Sequence, residues 1–203
     1  MSSAAQRYDQ RYFDKWYRHP SHRVSTMASA GRKAVLALAV AEYYLERPVR
    51  TVLDVGCGEG QWHLILKKLR PGIRYTGVDP SEYAVKRFGR SRNLKLGGFS
   101  DLPNLKLAMS YDLIVCSDTL YYVSREELAA GIKEMAARLG GVAFFEAYAS
   151  DEALTGDIRT IEKRDTNFYK KLFRKNGLVT CGPHCYAGNV LRDRVTDLER
   201  GAV

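Results

Sequence analysis

Acidic residues and closely spaced glycines stand in this sequence where a ligand could be held and worked on. Asp54 opens the run Asp54-Val55-Gly56-Cys57-Gly58-Glu59-Gly60. Glycines at alternate positions let backbone approach a bound molecule, because no Cβ stands in the way. Asp79 lies nineteen residues beyond Gly60, about the spacing at which an α/β nucleotide site sets a carboxylate against ribose hydroxyls. A dinucleotide fingerprint would need its third glycine at position 61, and Gln61 stands there. A pyrophosphate ligand, and with it a nicotinamide-dependent oxidoreductase, is disfavoured. Further along, Tyr121, Tyr122, Glu146, Tyr148 and His184 are groups that can orient an acceptor or take its proton.

These residues need a scaffold that brings distant segments to one edge. From Arg50 onward, short β-branched runs alternate with helical periods, the pattern of a parallel sheet built from βαβ units. Strands are predicted over 51–55, 75–78, 94–96, 112–116, 142–145 and 178–181. Between them, Trp62, Ile65, Leu66 and Leu69 keep helical spacing, and Ser81 can cap a helix bearing Ala84 and Phe88. Ser124 and Glu127 form a capping box that opens a helix through Leu139, stopped by Gly140-Gly141. A helix over 168–176 stops at Gly177, and Val190, Leu191, Val195 and Leu198 suggest a terminal amphipathic helix over 189–200. The expected architecture is one doubly wound, mostly parallel α/β domain: a helical extension over 1–47 and a Rossmann-like core over 48–203. In such sheets ligands sit outside the carboxyl ends of the strands, near the switch point. Asp54, the glycines, Asp79, the 97–101 turn and Ser117 converge there.

Three segments together carry a family resemblance: Val52 to Gly60, Gly77-Val78-Asp79-Pro80-Ser81, and Tyr111 to Leu120 with its Cys116-Ser117-Asp118 end. Over roughly residues 50–180 the chain resembles the class I S-adenosylmethionine-dependent methyltransferases of small-molecule type. The resemblance implies that Asp54, Gly56, Gly58 and Gly60 wrap the methionine end of S-adenosylmethionine, that Asp79 holds the ribose diol, and that Pro80 lies against the adenine. Cys116 and Ser117 would close the pocket from the fourth strand. Many members carry a carboxylate for the adenine amino group in the turn after the third strand. Gly98 stands at that place here, which leaves adenine contacts to Phe99 and to Ser100 or Asp101.

Methyl transfer from a sulfonium expels a neutral leaving group, so alignment of nucleophile, methyl and sulfur supplies most of the catalysis. A base is needed only for an acceptor that must lose a proton. Tyr122 falls where many small-molecule members carry histidine, and a phenol with pKa near 10 suits positioning better than proton removal. Glu146, after a buried strand, is the candidate base or orienting group. Tyr8, Tyr12 and Trp16 recur at i, i+4 and i+8 on one helix face; a helix docked by its apolar face would show this spacing, and so would the aromatic lid that the resemblance implies, in which Tyr12 and Trp16, with Tyr121 and Tyr148, would contact the acceptor. Cys181, His184 and Cys185 lack a fourth ligand at zinc spacing, and no metal is expected.

Composition narrows the field. In 203 residues, 45% are hydrophobic and 27% charged, an ordinary globular balance that excludes disordered and disulfide-scaffold classes. The longest apolar run, over 34–41, falls short of the ~20 residues a bilayer span needs, and no secretory apolar region follows the N-terminal Met. A cytoplasmic protein with reduced cysteines is expected. Lys and Arg outnumber Asp and Glu by 32 to 23, for a net charge of +9. The clusters Lys67-Lys68-Arg70, Lys86-Arg87-Arg90 and Lys170 to Lys175 alternate with core positions, so they read as solvated helix faces, although an anionic acceptor would also fit the charge. The segment after the fourth strand, Ser117-Asp118-Thr119-Leu120, lacks the prolines common in enzymes that methylate nucleic-acid bases. An O- or N-methyltransferase of small molecules is the first expectation. An RNA- or protein-modifying enzyme is the second, and a non-catalytic S-adenosylmethionine-binding regulator the third.

Overall fold

A computed structural model describes residues 8–22, 26–150 and 161–199. The N-terminal helix α1 (Gln10–Phe13) widens into a π-turn over Asp14–Arg18, and α2 follows over Met27–Leu45. Then come β1 (Thr51–Val55), α3 (Gln61–Leu69), β2 (Arg74–Asp79), α4 (Glu82–Arg92) and β3 (Leu94–Leu96). The second half holds β4 (Tyr111–Cys116), α5 (Arg125–Ala137), β5 (Leu139–Phe145), α6 (Thr166–Lys175), β6 (Val179–Gly182) and β7 (Cys185–Ala187).

The strands form one sheet in the order β3-β2-β1-β4-β5-β7-β6. β1 to β5 pair in parallel, while β7 runs antiparallel to both β5 and β6. The chain starts at the centre, winds outward through β2 and β3, and returns to build the other half from β4. That reversal makes β1 and β4 neighbours whose carboxyl ends diverge, and a crevice opens between them. The expected doubly wound fold is the fold observed.

Successive residues of the central strands enter opposite layers, as a two-residue period requires. Val52, Leu113, Val115 and Phe144 pack under α2 and α3, whereas Leu53, Ile114, Cys116 and Phe145 pack against α5 and α6. Both layers being covered, β4 is buried at all six positions, which explains its unbroken apolar run. The first layer includes Ala30, Ala34, Ala37 and Ala41 of α2, so residues 27–45 share one core with the sheet. Among the described residues no helix is long and apolar enough to cross a membrane.

Local signals at helix starts hold. Ser81 accepts from the Ala84 amide at 3.0 Å, and Ser124 with Glu127 closes its capping box at the start of α5. Three expectations need correction. Helix α5 ends at Ala137, and Leu139, Gly140 and Gly141 belong to β5. A Cβ on Gly141 would sit 2.1 Å from the Asp112 carbonyl of the neighbouring strand, so glycine there marks close strand approach rather than a helix stop. The three-residue strand β7 was not anticipated; it follows a tight turn at Pro183-His184, where His184 has φ +57. In place of the terminal helix only a short turn forms over Arg192–Arg194. Leu191 and Val195 are buried there, whereas Val190 and Leu198 are exposed, so the apolar positions never gather on one helical face. Residue 200 of that expectation lies outside the described residues.

Candidate active site

The glycine turn and the end of β2 are joined by hydrogen bonds. Gly56 holds φ +75, a left-handed backbone that glycine tolerates, and a Cβ there would meet the Thr119 side chain at 2.4 Å. The amide of Gly56 donates to the Val78 carbonyl, and the amide of Gly58 donates to Asp79 Oδ2 at 2.6 Å. The Ser81 amide donates to Asp79 Oδ1 at 2.9 Å. Asp54 accepts from the Tyr75 hydroxyl at 2.6 Å. Both carboxylates are buried, and burial is the main cause that pushes Asp54 up to about 7 and Asp79 up to about 6.

A cavity of about 380 Å³ opens over this turn. Its walls include Gly56, Gly58, Asp79, Pro80, Gly98 and Phe99 on one side and Asp118, Thr119 and Tyr122 on the other, under Tyr8, Tyr12, Phe13 and Tyr17. A narrower cleft of about 40 Å³ runs below it past Asp54, Cys57, Trp62, Ser117 and Lys33. Asp118, Phe13 and Tyr17 line both. The N-terminal segment is tied to the site's floor: Arg18 grips Glu59 with two bonds of 2.6 and 2.7 Å, and the Ser81 hydroxyl donates to the Tyr8 carbonyl.

At the carboxyl ends of β4 and β5 lies a charged cluster. Lys33 Nζ, reaching down from α2, donates to Glu146 at 2.7 Å and to Asp118 at 3.1 Å. Glu146, only 2% exposed, also accepts from the hydroxyls of Ser117 at 2.6 Å and Tyr148 at 2.9 Å. Burial alone would raise the Glu146 pKa, but the bonds from Lys33, Ser117 and Tyr148 hold it below the usual carboxylate value. Asp118 goes the other way, raised by burial and by repulsion from Glu146 despite Lys33. Its backbone is left-handed at φ +57, strain of the kind that collects at functional sites.

Compared with known proteins, residues 13–186 match the methyltransferase domain family. The chain belongs to that family. Solved structures share its fold: a sugar N-methyltransferase from Streptoalloteichus is 17% identical with a TM-score of 0.61, covering 87% of this chain and 91% of that one. The magnesium protoporphyrin IX methyltransferase of Synechocystis, solved with bound S-adenosylhomocysteine, is 18% identical with a TM-score of 0.57, covering 86% and 87%. A 72-residue stretch is 35% identical to the ribosomal protein L11 methyltransferase of Cupriavidus necator, taking in 35% of this chain. It spans only 24% of that relative's length.

In this methyltransferase the expected residues divide. Asp54, Gly56, Gly58, Asp79, Pro80, Phe99, Ser117, Tyr12 and Tyr122 line the cavity or the cleft. Gly60 lies just behind, in a left-handed conformation at the start of α3. Cys116 and Tyr121 do not reach the lining: Cys116 is fully buried under α5 and α6, and Tyr121 packs inward against Tyr122 and Tyr148. Ser100 is exposed and turns to Glu127. Tyr148 meets the site through Glu146. Trp16 packs against His22 and Lys15. The π-turn is the reason: it adds a residue to the period, so Tyr17, five after Tyr12, takes the inward place that a regular helix would give Trp16. Among the described residues no group of three or more His, Cys, Asp or Glu gathers in a metal-binding arrangement.

Lys33, Asp118, Phe13 and Tyr17 are the site residues that sequence reasoning passed over. Lys33 left a signal, as a cation three residues after the buried Ala30 and four before the buried Ala37, on their face of α2. Asp118 stands inside the segment that carried the family resemblance, with nothing local to show that its backbone turns left-handed.

Proposed function

We propose that this methyltransferase transfers a methyl group from S-adenosylmethionine to an O or N atom of a small-molecule acceptor. The observation that carries the reading is continuity: one cavity runs from the buried Asp79 to Asp118 and Tyr122 at the end of β4. The donor set fits the cofactor. Two oxygens of Asp79 each accept one backbone N–H, which leaves lone pairs for two ribose hydroxyls. Pro80 and Phe99 offer apolar faces to the adenine, and the cleft along Asp54 and Ser117 receives the amino-acid end. S-adenosylmethionine, when bound, supplies an electrophilic methyl group on sulfur.

The chain's own residues supply position and shielding. The turn of 56–60 and Asp79 fix the donor, Tyr122 and Tyr17 orient the acceptor, and the aromatic residues of the N-terminal segment exclude water. Titration calorimetry with S-adenosylhomocysteine, followed by an assay of its release from S-adenosylmethionine with metabolite pools or total RNA, tests the reading. Binding with turnover on metabolites is expected. No binding at millimolar concentration would sink the cofactor assignment, and turnover with RNA alone would sink the substrate class. The likeness to a ribosomal-protein methyltransferase favours one second reading, a protein acceptor, and purified ribosomal protein belongs in the same assay.

A further inference from the structure

We infer that the acceptor is an amine, which enters the cavity as an ammonium ion and gives its proton to Asp118. The inference rests on the methyltransferase reading above and narrows it from O or N to N. The chain carries +9 overall, yet the cavity wall holds Asp79, Asp101, Asp118 and Glu127 and no Lys or Arg. Asp101 accepts from the Gly98 amide and Glu127 from the Ser124 hydroxyl; these donors are neutral and leave the negative charge in place. The nearby cations are engaged, Lys33 by Asp118 and Glu146, and Arg18 by Glu59. The remaining wall is uncharged and includes the rings of Tyr8, Tyr12, Phe13, Tyr17 and Tyr122. Ring faces and carboxylates both attract a cation and repel an anion. The net charge of the surface therefore says little about the acceptor, because the wall it meets has the opposite sign.

Asp118 is placed to take the proton. It lines both the cavity and the cleft beneath, so it faces the point where donor and acceptor meet. The groups around it are Lys33 from α2, Glu146 from the end of β5, Tyr17 from the π-turn, Tyr121 and Tyr122 from the turn after β4, and the Cys116 thiol. Of the two carboxylates on Lys33, Glu146 takes the shorter bond and two hydroxyls besides, and stays ionised. Asp118 keeps the longer bond and feels its neighbour's charge, and burial with that repulsion raises its pKa, so of the two it is the one that takes up a proton more readily. Two carboxylates driven apart in this way divide into a fixed charge and an acid–base group. In the step itself the ammonium N–H bond breaks and its proton passes to the Asp118 carboxylate. The freed nitrogen lone pair forms the new N–C bond, and the pair of the broken C–S bond stays on sulfur as a neutral thioether. An alcohol holds its proton far more tightly than a carboxylate can draw it, and no histidine lines the cavity.

Benzylamine, benzyl alcohol and benzoate share one ring and differ in the group presented, and their binding to the protein saturated with S-adenosylhomocysteine tests the assignment. Benzylamine is expected to bind at least tenfold more tightly than the alcohol at pH 8, and benzoate more weakly than either. Its affinity should fall as the pH is lowered and Asp118 becomes protonated, and Asp118→Asn should bring amine and alcohol within threefold of each other. Equal affinities, binding by none of the three, or a preference for benzoate overturns the inference, as does an Asn variant that keeps the amine preference. The ranking in the unaltered protein stands whether or not the variant folds. Failure to bind S-adenosylhomocysteine would count against the methyltransferase reading itself, whereas a protein that binds it and prefers the alcohol or acid loses only the amine.

Discussion

At the β1–β2 end of the site, Asp54 and Asp79 are 1% and 6% exposed and are held by neutral donors alone: the Tyr75 hydroxyl and the amides of Gly58 and Ser81. At the β4–β5 end, Asp118 and Glu146 share the ammonium group of Lys33. Burial therefore pushes Asp54 and Asp79 up to about 7 and about 6, whereas Glu146 is held below its ordinary value by its hydrogen bonds. The first end keeps its buried charge at a cost, and suits the proposed ligand, which would supply hydroxyls and positive charge. The second end carries its own cation and is settled before anything binds, apart from Asp118.

Removing the carboxylate at the first end should have the largest effect. Asp79→Ala is expected to weaken S-adenosylhomocysteine binding by about 100-fold, since hydrogen bonds to a charged group are worth about 1.5–3 kcal/mol each; calorimetry showing less than a threefold loss would break the comparison. Lys33→Met attacks the second end by leaving Glu146 buried without its cation, and should cost about 2–3 kcal/mol in urea unfolding. That deficit should shrink at acid pH, where Glu146 in the variant takes up a proton and loses its charge.

Asp54→Asn should do the reverse and stabilise the ligand-free protein by about 1–3 kcal/mol at pH 8. With a folded pKa of about 7 against an ordinary carboxylate value of 3.8, the native state binds the proton more tightly, so stability falls as pH rises between those values. The gain should accordingly vanish near pH 4, and an equal gain at both pH values would show that charge is not its source. The smallest effect is expected at Trp16, whose replacement by Ala should change S-adenosylhomocysteine affinity less than threefold. Tyr17→Ala measured beside it should change affinity more, and the opposite order would mean that the π-turn does not set which ring faces in.

The first end was readable in the sequence because its demands are local. A left-handed glycine directly after a strand and an acidic residue at the end of the next strand are requirements of backbone geometry, and Gly56 and Asp79 meet them within a few residues. Ser81 and Ser124 announced their helices in the same way. The second end depends on contacts between residues 85 and 113 positions apart, Lys33 with Asp118 and with Glu146, which no short window displays. Trp16 was misplaced because a regular helical period was assumed where one extra residue enters the turn. The strand β7 escaped because Cys185-Tyr186-Ala187 shows no apolar–polar alternation of the kind that Leu94-Lys95-Leu96 gives β3, and its pairing with β5 is a long-range event.

The two ties of the N-terminal segment, Arg18 to Glu59 and Ser81 to Tyr8, bear on time as well as place. Both anchors lie on loops beside the cavity, one after β1 and one after β2, so the segment is fastened to the same backbone that the proposed function assigns to the cofactor. On the proposed reading, product departure would break both ties, and a turnover limited by that release would show a burst of product in the first cycle. The maximum rate of such an enzyme is expected to follow ionic strength through the half-buried Arg18–Glu59 pair, even for an acceptor that never touches Arg18.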